Sequence, residues 1–108
     1  MNIRMDYLYR DAGNYKTWSA VVVPNAPSPI SSHEADAIAR ASLIDGGWFV
    51  AAAAGLPDLR GNEWDDELDH DWHELHGFAE TDAVPDDQQG RDIRALLESL
   101  ADGSVTAL

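Results

Sequence analysis

The chain has 108 residues, 44% of them hydrophobic, no cysteine and a net charge of −13. That length fits one domain spanning 1–108, and the hydrophobic share supports a packed core rather than disorder throughout. The missing thiols exclude a disulfide framework, a thiolate metal site and a cysteine nucleophile, while the acidic field repels nucleic acid and anionic membranes.

Residues 3–9 alternate, with Ile3, Met5, Tyr7 and Tyr9 on one side and Arg4, Asp6 and Leu8 on the other. A period of two predicts a half-buried strand. With Arg4, Asp6 and Arg10 interspersed, this stretch is not expected to be a signal peptide. Asp11-Ala12-Gly13-Asn14 is turn chemistry, and a second strand from Tyr15 to Val23 would complete a β-hairpin. Pro24, Pro27 and Pro29 then mark a connection.

Ser31 with Glu34 reads as a capping box, and Ile30 with Ala35 as a hydrophobic staple. They predict a helix over 32–44 whose apolar stripe runs through Ala35, Ile38, Ala39 and Ser42, with Leu43 close by. Asp45-Gly46-Gly47 ends it with a left-handed cap. Trp48 to Ala53 is short and continuously apolar between glycines, the pattern of a strand buried on both faces at the centre of a sheet.

Residues 58–68 read as a loop, Asp71 to Glu80 as a strand, and Thr81 to Gly90 as an acidic loop around Pro85. Arg91 to Leu100 carries Ile93, Leu96, Leu97 and Leu100 at helical spacing, with Gly103 as the stop. The order β-β-α-β-β-α predicts an α+β fold: one largely antiparallel sheet with two helices on one face. No run approaches the roughly eighteen apolar residues that a membrane span needs, so a cytoplasmic protein is the expectation.

Three short stretches carry a resemblance. Tyr7 to Lys16 (Y-L-Y-R-D-A-G-N-Y-K), Leu43-Ile44-Asp45-Gly46 and Trp72-His73-Glu74-Leu75 resemble those of a group of small bacterial proteins. The resemblance supplies no functional residues.

Charge is segregated. Residues 58–92 hold thirteen acids against Arg60 and Arg91, whereas the segments on either side are each close to neutral. Within that third, Glu63 to His76 holds seven acids, three histidines and two tryptophans in fourteen residues.

Imidazole beside carboxylate suits a first-row divalent ion, and His70, His73 and Glu74 are the candidates. On a strand, however, His70, Trp72, Glu74 and His76 share one face while His73 points the other way. The order H-x-x-H-E also matches neither zinc-peptidase motif, so no metal and no cofactor are expected. The spacing of Asp65, Asp66, Glu67, Asp69 and Asp71 fails as an EF-hand, because the sixth position is His70 rather than glycine. A solvated acidic run gives no carboxyl the apolar setting an acid catalyst needs, and no nucleophile–base motif is present. An enzyme is not expected. Scattered basic residues cannot supply the counterion release of direct nucleic-acid binding.

The acidic face itself then carries the functional expectation. Glu63, Trp64, Asp65, Asp66, Glu67, Asp69, Asp71, Trp72 and Glu74 form a candidate partner-binding stretch, the carboxylates for attraction and the tryptophans as anchors. The sequence reads as a small, acidic, non-enzymatic binding protein that inhibits or regulates a basic, nucleic-acid-binding partner by imitating DNA charge. Anti-restriction and anti-CRISPR proteins of phages and mobile elements, often small, acidic and without recognisable motifs, are the analogy. The alternatives are a metal-binding module or metal-dependent enzyme centred on His70, His73 and Glu74, and an antitoxin-like accessory subunit.

Overall fold

The computed structural model describes residues 1–10, 15–59 and 72–106. The elements are β1 (Asn2–Arg10), β2 (Lys16–Val23), α1 (Ser32–Ser42), β3 (Trp48–Val50), β4 (Trp72–Thr81) and α2 (Ile93–Thr106). The strands form one sheet in the order β2-β1-β4-β3, with every pairing antiparallel. The α+β class and the order of elements are those expected. The expected turn at 11–14 and the loop residues 60–68 lie outside the described residues.

The alternation along β1 buries Ile3, Met5 and Tyr7 completely, opposite Val23, Val21 and Ser19 of β2. These residues join Leu75, Phe49 and the helical residues Ala35, Ala39, Ile93, Leu96 and Leu100 in one core. On its other side β1 pairs with β4, and there the ladder slips. Asp6 faces Gly77 but Tyr7 faces Leu75, so His76 is one extra residue, a β-bulge.

The bulge decides what β4 buries. An uninterrupted period of two from Leu75 would turn Gly77 and Ala79 towards the core. The extra residue instead sets Phe78 opposite Met5, packed against the core. Arg40 braces this point from α1. Its guanidinium donates to the His76 carbonyl at 3.1 Å and the Gly46 carbonyl at 3.1 Å, while its Nε donates to Asp36 at 3.0 Å.

At the start of α1 the Ser31 hydroxyl oxygen accepts the Glu34 amide at 3.0 Å. Glu34 does not reach back to the Ser31 amide; its carboxylate accepts from the Ser31 hydroxyl at 3.3 Å. Asp45 and Gly46, with φ of 49° and 76°, turn the chain after the helix. Ile38 is a correction: it is 43% exposed. Ala35, Ala39 and Leu43, spaced four apart, are the buried line, and Ile38 lies about 100° from its centre at 3.6 residues per turn.

Two further expectations are corrected. The stretch from Trp48 to Ala53 is neither central nor a six-residue strand: β3 has three residues and lies at the sheet edge. After Val50 the alanines turn instead, the Ala54 amide donating to Val50 at 3.0 Å and the Leu56 amide to Ala51 at 2.9 Å. Alanine favours such helical turns more than extended chain. Gly55, at φ 71°, ends them. Nor does Gly103 stop the last helix. α2 starts at Ile93, with the Asp92 carboxylate accepting the Ala95 amide at 2.9 Å, and passes Gly103 to Thr106. One glycine costs a helix only about 1 kcal/mol, against the buried Ile93, Leu96, Leu97 and Leu100 on its inner stripe. No helix among the described residues is long and apolar enough to cross a membrane.

A candidate interaction face on the sheet

Residues paired directly across antiparallel strands share a face of the sheet. Leu8 pairs with Trp18 on one side and Glu74 on the other, and Glu74 pairs with Trp48. A single row, Trp18–Leu8–Glu74–Trp48, therefore crosses all four strands on the face opposite Ile3, Met5 and Tyr7. Trp72 lies on the same face, its ring centroid 6.4 Å from that of Trp48. All three described tryptophans are on this face.

The row is uneven in depth. Trp18 is 54% exposed and meets His76 edge-on at 5.0 Å, whereas Leu8 is buried and Trp48 and Trp72 are half-buried. Arg10 donates to the Glu74 carboxylate at 3.2 Å, holding that acid against the sheet. Glu74 is thus a structural acid, paired within the sheet. Chemically the face offers flat aromatic surface beside a paired carboxylate, which suits a cation or an apolar side chain.

Of the nine residues expected to bind a partner, Trp72 and Glu74 are described, and β4 brings both to this face. Glu63, Trp64, Asp65, Asp66, Glu67, Asp69 and Asp71 lie outside the described residues. Sequence reasoning missed Trp18 and Trp48. The alternation of Trp18 with Val21 and Val23 along β2 was a usable signal, since it sets them on opposite faces.

The histidines separate. His73 turns to the core face, fully enclosed, with ring centroids of Tyr9 at 5.2 Å and of Tyr7 and Phe49 both at 6.1 Å. Its Nε2 accepts the Leu59 amide at 3.0 Å, and the Asp58 carboxylate stands 3.6 Å away. Glu74 and His76 lie on the opposite side, and His70 is outside the described residues. His73 and Glu74 therefore do not converge on one ligand. Among the described residues no group of three or more histidines and carboxylates could hold a metal ion.

Tyr7 closes the inner cluster, its hydroxyl donating to the Pro57 carbonyl at 2.9 Å. Burial pushes its pKa up; a hydrogen bond to Ser19 opposes that shift and the Asp58 carboxylate adds to it. The raised phenol and the enclosed imidazole thus stand side by side within the core.

A second buried polar unit anchors the loop after β4. Arg91 donates to both Asp87 oxygens, at 2.8 and 2.9 Å, to the Gly55 carbonyl at 2.9 Å and to the Ala54 carbonyl. The hydrogen bonds from Arg91 hold the Asp87 carboxyl below its ordinary range, against the opposing effect of burial. No protein-family model, no curated protein and no solved structure matches the chain.

Proposed function

We propose that this chain is a small acidic binding protein that engages a basic partner through the tryptophan-bearing sheet face and so inhibits or regulates it. In this reading both helices cover the Ile3–Met5–Tyr7 side, leaving the opposite side for the partner. The observation that carries the proposal is the Trp18–Leu8–Glu74–Trp48 row, joined at Trp72 directly to the acidic run. Carboxylates at 63–71 attract a cationic surface over about 8 Å at physiological ionic strength. Indole rings then hold guanidinium or ammonium groups by cation–π contact, worth about 0.5–2 kcal/mol each. A partner that normally binds nucleic acid meets both needs, because its surface is already rich in arginine and lysine.

Tryptophan fluorescence provides the test. A twelve-residue arginine-rich peptide should shift the emission and bind with an affinity that falls at least tenfold between 50 and 300 mM salt, whereas a glutamate-rich peptide should not bind. Trp18→Ala, at an exposed site, should weaken binding without lowering the melting temperature. Equal binding of both peptides, or binding that ignores salt, would contradict the reading.

A further inference from the structure

β2 is an edge strand, and the structure shows which of its backbone groups face outward. The Val22 amide donates to the Asp86 carboxylate at 2.8 Å, and the Val22 carbonyl accepts the Asp86 amide at 3.0 Å. The Pro24 carbonyl accepts the Ile93 amide at 3.0 Å. All these partners lie beyond the sheet, so the even-numbered residues of β2 direct their amides and carbonyls away from β1. By the same period Lys16, Trp18 and Ala20 do so too.

The chain from Asp86 to Ile93 covers the edge only at Val22 and Pro24. Among the described residues no hydrogen bond engages the outward amide or carbonyl of Trp18 or Ala20. Lys16, Thr17, Trp18 and Ala20 are all exposed. The uncovered edge from Lys16 to Ala20 is about 14 Å long at 3.4 Å per residue, room for a short added strand. The opposite sheet edge, β3, has only three residues. Where the cover begins, a pocket of about 190 Å³ opens beside the edge, lined by Ala20, Val21, Gly55, Pro57 and the turn from Asp86 through Asp87 to Gln88. Its size suits one side chain. Asp86 is exposed, and only one of its carboxylate oxygens accepts the Val22 amide.

We infer that the uncovered edge of β2 takes up an extended segment of the partner as a fifth strand, with a lysine or arginine of that segment seated in the pocket against Asp86. Main-chain hydrogen bonds to Trp18 and Ala20 supply the strand addition, and the pocket supplies the preference for a base. A second copy of this chain is the other molecule that could pair here, but each copy carries a net charge of −13, which opposes self-association. Lys16, the one base along the free edge, sets the direction: the partner's base belongs at the Ala20 end.

The inference rests on the basic-partner reading above, and the experiment separates the two. Eight-residue peptides alternating valine or threonine with lysine are titrated against the full chain, with glutamate in place of lysine as control. Backbone hydrogen exchange is followed at Trp18 and Ala20. The lysine peptides should slow exchange at both amides at least tenfold, and the glutamate peptides should not. Ala20→Pro removes an outward amide without breaking the ladder to β1, so it should keep the melting temperature and lose at least tenfold in peptide affinity. Salt-sensitive binding with unchanged exchange at Trp18 and Ala20 would overturn the edge proposal and leave the basic-partner reading standing. Equal binding of lysine and glutamate peptides would overturn both. Exchange at these amides that slows with protein concentration alone would assign the edge to a second copy and overturn the proposal.

Discussion

At the scale of single residues, the Arg91–Asp87 pair shows how polar groups are held inside so acidic a chain. The Asp87 side chain is 3% exposed and that of Arg91 8%, and the guanidinium also satisfies the carbonyls of Ala54 and Gly55. Removing one partner of a buried pair leaves the other unsatisfied, so Arg91→Ala should cost about 3–5 kcal/mol in chemical denaturation. The pH dependence follows from the depressed carboxyl. Its stabilisation is fully present above the unfolded carboxylate pKa of about 3.9 and is lost as pH falls through the lower folded value. In Arg91→Ala this acid-side loss should shrink, and an unchanged stability profile below pH 4 would contradict the pairing. Gly55 belongs to the same knot. With φ at 71° and the Arg91 guanidinium 2.9 Å from where a Cβ would sit, Gly55→Ala should also destabilise.

His73 was legible as a strand histidine facing away from His70 and His76, but its enclosure was not. Sequence shows the alternation; it does not show that Tyr7 and Tyr9 of β1 and Phe49 of β3 close around the ring. A ring so enclosed is a packing element. His73→Ala should therefore cost about 2–5 kcal/mol, as large-to-small core changes do, with the loss read from urea denaturation. A melting temperature unaffected by this change would show that the ring is not needed where it sits.

At the scale of elements, the helices and the hairpin were the most readable parts, because their signals are local. Ser31, placed three residues before Glu34, fixes one helix start. The Ile93–Leu96–Leu97–Leu100 stripe needs no partner to be seen. Ile38 was misread because period alone does not choose between neighbouring stripes, and packing selected Ala35, Ala39 and Leu43. Leu96→Ala, at a fully buried position, should cost about 2–5 kcal/mol, whereas Ile38→Ala should cost far less. Equal losses for the two would contradict the described face of each helix. The β4 bulge was not legible at all. Only the mismatch between Gly77 and Met5, answered by Phe78, demands the extra residue, and that mismatch exists only after β1 and β4 have paired. The three-residue β3 escaped for a related reason: an apolar alanine run satisfies buried strand and buried turn alike until its hydrogen bonds are known.

At the scale of the whole molecule, the proposed binding face is built from relations that sequence order hides. Positions 8, 18, 48 and 74 become neighbours only through the β2-β1-β4-β3 order, so a reading along the chain found Trp72 and Glu74 but not their row. Charge segregation, by contrast, was visible at once, because counting needs no fold. The two signals meet where the acidic run enters β4 at Trp72. Steering and anchoring should accordingly separate in kinetics, since exposed charges act on encounter and aromatic contacts act after docking.

Stopped-flow binding of the arginine-rich peptide tests that claim most directly. Neutralising Asp65, Asp66, Glu67, Asp69 and Asp71 to asparagine should slow association at least tenfold and change dissociation little. Trp18→Ala should leave association nearly intact and raise the dissociation rate about fivefold or more, corresponding to about 1 kcal/mol of lost cation–π contact. A folded, charge-neutralised variant that binds as fast and as tightly as the parent would contradict the account.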